Sequence, residues 1–249
     1  MTGAAVETLD LRQLVPSGRW VVLLLLTAVS GFATWAAFPP HELSGLAWVA
    51  PALLMLALSQ VPLRHGFLLG WLYGTILMGG IVSFVAPYGA LPWSALALAM
   101  GLFYGLFGLV GSALRTTQPL CRAVALAAAW YLVEFVRGHC GSLSLTFGDL
   151  AYSQSAELPF VQLASLCGHY GLSFAMALLS AGVSCMLSAM LPLTWLRPAV
   201  AGQAGAASLK RFNRDAGRVA LACFLLMIVL YTWGRFTAEM GGKRCAEVT

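Results

Sequence analysis

Charge is what this chain has least of. Of its 249 residues 9% are Asp, Glu, Lys or Arg, whereas an ordinary soluble domain carries about 25%, so a water-facing globular surface is excluded. The usual signatures of soluble catalysis are missing too: no phosphate-cradling glycine loop before Lys-Ser/Thr, no His-Glu-x-x-His and no Gly-x-Ser-x-Gly elbow. Six cysteines form no Cys-x-x-Cys pair, which removes the common zinc and thioredoxin-like arrangements. No internal repeat is visible, which speaks against a solenoid and against transporters built from repeated halves.

What remains is apolar. Hydrophobic residues make up 60% of the chain, and length is better counted in spans of about 20 such residues than in soluble domains. Seven are legible: Trp20 to Phe38, Ser44 to Gln60, Gly66 to Ala86, Trp93 to Ser112, Ala123 to Val136, Phe160 to Leu191, and Val219 to Phe236. Short breaks rich in proline or charge separate most of them, such as Pro39-Pro40-His41-Glu42 and Pro62-Leu63-Arg64-His65. The expected fold is all-α integral membrane, a polytopic bundle of about seven transmembrane helices. Residues 1–19 form a cytoplasmic N-terminal segment, 20–236 the membrane domain and 237–249 a tail. The sixth span is too long for one simple crossing, and a tilt, a kink near Gly168 or Gly171, or a surface-lying first part accommodates it. The first reads as a retained span, since Phe38-Pro39-Pro40 is no cleavage site for a signal peptide.

Orientation follows from the 14 basic residues. With the N-terminus inside, Arg12, Arg19, Arg64, Arg115, Arg122, Arg197, Lys210, Arg211, Arg214 and Arg218 fall on the cytoplasmic side. Only Arg137, Arg235, Lys243 and Arg244 fall outside, which places the C-terminus outside as well. The net charge of +5 is then an insertion signal, and no nucleic-acid partner is needed to explain it. Gly70 with Gly74, and Gly101 with Gly105 and Gly108, have the spacing of closely packed helices. Ala199 to Ser208 reads as a flexible inner loop, and Trp48, Trp93 and Trp233 read as interfacial anchors near span ends.

Glu134 is the one carboxylate inside an apolar run. An ionised acid there costs several kcal/mol unless paired or hydrated, and Arg137, three residues on, shares its helix face. The expected ion pair either fixes packing or helps to hold substrate. His139-Cys140 and Cys167-Gly168-His169 lie on the same outer side. Their spacing matches no common metal site; a Cys140–Cys167 disulfide suits an oxidising compartment, and unpaired residues are the favoured reading. No metal or cofactor is expected.

Several stretches resemble one known family. Ala37-Phe38-Pro39-Pro40 is followed by Leu46-Ala47-Trp48-Val49-Ala50-Pro51. Farther on come Trp130-Tyr-Leu-Val-Glu134-Phe-Val-Arg137-Gly138, then Ala151-Tyr152-Ser153-Gln154, then Pro159-Phe-Val-Gln162-Leu163-Ala164, then Gly168-His-Tyr170-Gly171-Leu172-Ser173-Phe174. In order and spacing these are similar to the apolipoprotein N-acyltransferases of bacterial membranes. The resemblance implies a cytoplasmic (inner) membrane location and an extracytoplasmic nitrilase-like domain after the seventh helix. It also implies a ping-pong transfer in which a cysteine, activated by Glu and Lys, takes an acyl chain from a phospholipid. That chain then passes to the N-terminal diacylglyceryl-cysteine of a lipoprotein. With the buried charges, the resemblance nominates Glu134, Arg137, Tyr152, Gln154, Phe38 and Pro39 as lipid- or substrate-contacting residues.

The departures are as informative. No counterpart of the catalytic Glu, Lys or Cys occurs, and Cys245 has no positioned base. Lys243 to Thr249 resembles only the start of the nitrilase-like domain's first strand. Where the family usually has Gly-Phe-Pro-Trp, this chain reads Ser144-Leu145-Thr146-Phe147-Gly148-Asp149. The expectation is a membrane domain that is incomplete for catalysis and inactive alone, with a phospholipid donor and a lipoprotein acceptor as partners; the nitrilase-like domain is either a separately encoded partner or lost, leaving a truncated, inactive product. A non-catalytic scaffold or small transporter is the alternative.

Overall fold

The computed structural model describes residues 17–141, 144–190 and 206–248, with side chains over 18–141, 144–190 and 211–240. Arg12, most of the Ala199–Ser208 loop and the side chain of Cys245 lie outside them. Among the described residues seven α-helices run α1 Ser17–Ala36, α2 Ala50–Leu58, α3 Leu63–Ile81, α4 Ala90–Ala113, α5 Pro119–Gly138, α6 Leu158–Met190 and α7 Ala206–Val248. Among the described residues, six helices are long and apolar enough to cross a bilayer, so the chain is a multi-pass membrane protein. Proline sets several boundaries. Pro62 is extended just before α3 and Pro119 opens α5, where a missing N–H leaves no hydrogen bond unmade.

The second expected span is the exception. Ser44–Trp48 is a 3₁₀ turn and α2 adds only nine residues, giving a rise of about 24 Å. Polar contacts fix the element at both ends. At one end Ser44 meets Gln154 and Glu157; toward the other, Met55 O accepts from the buried Arg122 guanidinium at 2.8 Å. That carbonyl lies in the last turn of α2, where no intrahelical donor exists, and a cation there also suits the helix dipole.

Close packing at glycine holds α3 to α4, as the spacing predicts. A Cβ on Gly70 would fall 2.2 Å from Tyr104 O, and one on Gly108 would fall 2.0 Å from Gly66 O. Hydroxyls make further polar links across the apolar interior: Ser30 to Ala50 O, Tyr73 to Thr34 and Ser180 to Trp48 O. At the centre, the Trp130 indole meets Tyr73, Tyr104 and Phe107 edge-on, with centroids 5.1–6.0 Å apart. Such edge-to-face contacts stabilise beyond the area they bury.

The predicted kink in the sixth span lies at Gly168, whose backbone (φ 69°, ψ 174°) interrupts the helical geometry of α6. Two expectations change. Trp48 is no interfacial anchor but is 5% exposed, because the 3₁₀ turn directs it inward. The backbone from Lys243 to Val248 continues α7 as helix instead of beginning a strand. Cys140 and Cys167 are exposed, free thiols.

Candidate functional site

The connection from α5 to α6 folds back over the end of the bundle, and two buried charges on α5 hold it there. Glu134 and Arg137 are both fully buried, but they do not form the expected ion pair. Arg137 reaches past the helix end to Asp149, with Nη2 2.5 Å from Oδ1, and its other terminal nitrogen donates to Phe147 O at 2.5 Å. Glu134 Oε1 accepts instead from the Trp130 indole N–H and the Leu150 backbone N–H, each at 2.8 Å. The reason is access to better partners. The returning loop supplies an anion for the guanidinium and a free backbone donor for the carboxylate, and the i, i+3 neighbour offers neither geometry.

Local sequence makes the return possible. Gly148 has φ +84°, and a Cβ there would fall 2.6 Å from Ile81 and 2.9 Å from Met78. Only glycine lets the chain turn while lying flat on α3. Leu145 N donates to Arg137 O, which satisfies an orphan carbonyl at the end of α5. Asp149 then opens a 3₁₀ turn, Leu150–Gln154. Burial pushes the Asp149 carboxyl up to about 6, against the pull of Arg137.

Around this pair lies a layer of aromatic and polar groups. The guanidinium carbon of Arg137 sits 5.9 Å from the Tyr104 ring centroid. His169, beside the Gly168 kink, places Nε2 3.4 Å from Asp149 Oδ2 and stacks its ring on Tyr152. Ser173 Oγ accepts from Ala151 N and lies beside Glu134. Four elements thus converge: α4 through Tyr104, α5 through the two charges, the connection through Asp149, and α6 through His169 and Ser173.

Of the other residues nominated from sequence, Tyr152 is exposed at the rim. Gln154 is buried, accepting from Trp48 Nε1 at 3.0 Å and donating to Ser44 O at 2.9 Å. Phe38 packs in the core and Pro39 is exposed in the turn after α1. The site thus contains Glu134, Arg137 and Tyr152 directly, with Gln154 in the adjoining turn. Asp149, Trp130 and Ser173 stood in the sequence reading only inside longer stretches, and His169 only as a candidate metal ligand. Asp149 was legible as one of two acids, with Glu157, in the connection between α5 and α6, and Trp130 as the i−4 neighbour of Glu134.

Chemically the cluster is a clamp. Among the described residues no three of His, Cys, Asp and Glu gather as a metal site would require. The Cys167 thiol donates to Leu163 O, its own helix backbone, and so has no base set to activate it.

A family model described as the Apolipoprotein N-acyltransferase N-terminal domain matches residues 30–182. The chain belongs to that family. Similar proteins named apolipoprotein N-acyltransferase include one from Geobacter metallireducens, 28% identical over 164 residues, covering 62% of this chain and 31% of the relative. Another, from Azotobacter vinelandii, is 35% identical over 172 residues, covering 63% and 33%. One from Pseudomonas putida is 31% identical over 183 residues, covering 68% and 35%. The chain spans about a third of the length of these curated relatives. The whole clamp, from Tyr104 to Ser173, falls inside the matched residues.

Proposed function

We propose that this chain serves as the membrane-embedded part of an apolipoprotein N-acyltransferase in a bacterial cytoplasmic membrane, with its N-terminus in the cytoplasm. It admits the acyl chains of a phospholipid donor and of a diacylglyceryl lipoprotein acceptor from the bilayer. It presents their reacting ends to a nitrilase-like domain, which supplies the nucleophile and the base. The observation that carries this reading is the clamp. Two fully buried charges fix a connection across one end of the bundle, an arrangement too expensive in an apolar medium to persist without use, and the likeness to the acyltransferases covers every residue of it.

The test is reconstitution. Membranes holding the 249-residue chain are mixed with a nitrilase-like domain from a relative, a phospholipid and a diacylglyceryl peptide, and triacylated product is followed by mass spectrometry. Product is expected only with both proteins present. Arg137→Gln, confirmed as inserted by its abundance in the membrane, is expected to lower the rate by tenfold or more, because the connection is no longer held (about 1.4 kcal/mol per factor of ten). Product formed equally well without the membrane chain would refute the reading. The chain alone is expected to form no acyl-enzyme.

A further inference from the structure

A second feature lies beside the clamp, on the flank of the bundle where α2 is short. The seam between α6 and α7 is left open there as a cavity of about 530 Å³, within the range of ligand-binding pockets. Its trunk is apolar, formed by Leu179 and Val183 of α6 and by Phe224, Met227 and Ile228 of α7. Water gains little in such a trough, whereas an acyl chain fits its shape and its chemistry. The end of the trough is different. There Glu157, Gln154 and Ser44 line it, and Trp48, Phe160 and Tyr231 form an aromatic series with centroids 4.6 and 5.5 Å apart.

We infer that this groove holds one bilayer lipid as a bound structural ligand, with an acyl chain in the trunk and an ammonium-bearing headgroup against Glu157. The charge decides the headgroup. One Glu157 oxygen accepts from Ser44 Oγ at 3.1 Å, and among the described residues no basic side chain lies within ion-pair distance of it. A carboxylate beside aromatic faces attracts an ammonium group and repels an anionic one. The lipid so held packs this flank of the bundle, next to Gln154 of the turn that adjoins the clamp. It fills the gap that a short α2 leaves between α6 and α7.

The full chain is reconstituted in vesicles of equal parts phosphatidylethanolamine and phosphatidylglycerol, extracted in mild detergent and examined by native mass spectrometry. Wild type is expected to retain one phosphatidylethanolamine per chain, with a preference over phosphatidylglycerol of about fivefold, as suits a half-exposed charge pair. Glu157→Gln is expected to bind a lipid still but without preference. Val183→Trp, which fills the trunk, is expected to bind neither; Val183→Phe replaces it if the tryptophan variant does not insert. Equal retention of the two lipids by wild type, a preference surviving Glu157→Gln, or full retention with the trunk filled would each overturn the inference.

Discussion

Removing Arg137 alone would leave Asp149 a buried acid with only the His169 imidazole beside it, and removing Asp149 would leave the buried Arg137 guanidinium bonded only to the neutral acceptors Phe147 O and Met78 Sδ. Breaking a buried pair from one side costs about 3 to 5 kcal/mol, while replacing both members by neutral groups costs much less. Arg137→Gln and Asp149→Asn are each expected to lower the unfolding midpoint in detergent markedly, with the double variant above the weaker single one. Glu134 behaves differently, because its bonds are to neutral donors. Glu134→Gln keeps an oxygen for Trp130 and Leu150 and is expected to lose about 1 kcal/mol or less. Glu134→Ala leaves both N–H groups unpaired, at about 1 to 3 kcal/mol each. A Glu134→Gln variant as unstable as Glu134→Ala would mean that the charge itself is required.

Helix packing depends on glycine in two distinct ways, and one experiment separates them. Gly108→Ala must push α3 away from α4, since its new methyl would meet Gly66 O. Gly168→Ala meets nothing within 4 Å, but its backbone lies where only glycine is at ease, a strain of about 1 to 3 kcal/mol. Gly217, in the helical run of α7 with open space around it, is the control; alanine there is expected to be neutral or mildly stabilising. Thermal unfolding of the three variants measures this directly. The same elements mark what the sequence could reveal. Hydropathy located the long helices, glycine spacing located the α3–α4 seam, and the excess length of the sixth span pointed to Gly168. The partner of Arg137 was out of reach, because Asp149 is twelve positions away across a turn that depends on the φ of Gly148, and a periodic pattern cannot register such a return. Trp48 misled for a related reason. A tryptophan near a span end looks like a headgroup anchor until the 3₁₀ turn that points it at Gln154 is known.

Topology for the whole molecule rests on whether the Ser44–Leu58 element counts as a crossing. Its rise of about 24 Å falls short of a hydrocarbon layer of about 30 Å. Length is the wrong criterion for it, however, because nearly all of α2 is buried among other helices and need not match the lipid around it. If it crosses and the N-terminus is cytoplasmic, Arg64, Arg115, Arg122 and the basic residues from Arg197 to Arg218 all lie inside. If it only dips and returns, every later connection changes side, and the inner face keeps just Arg12, Arg19, Arg137, Arg235, Lys243 and Arg244 of the 14. The basic residues therefore favour seven passes. A reporter active only in the cytoplasm is expected to signal when fused after Gln118 and to stay silent after Gly141 and after Thr249. Silence after Gln118 with signal at the other two positions would show that the short element does not cross.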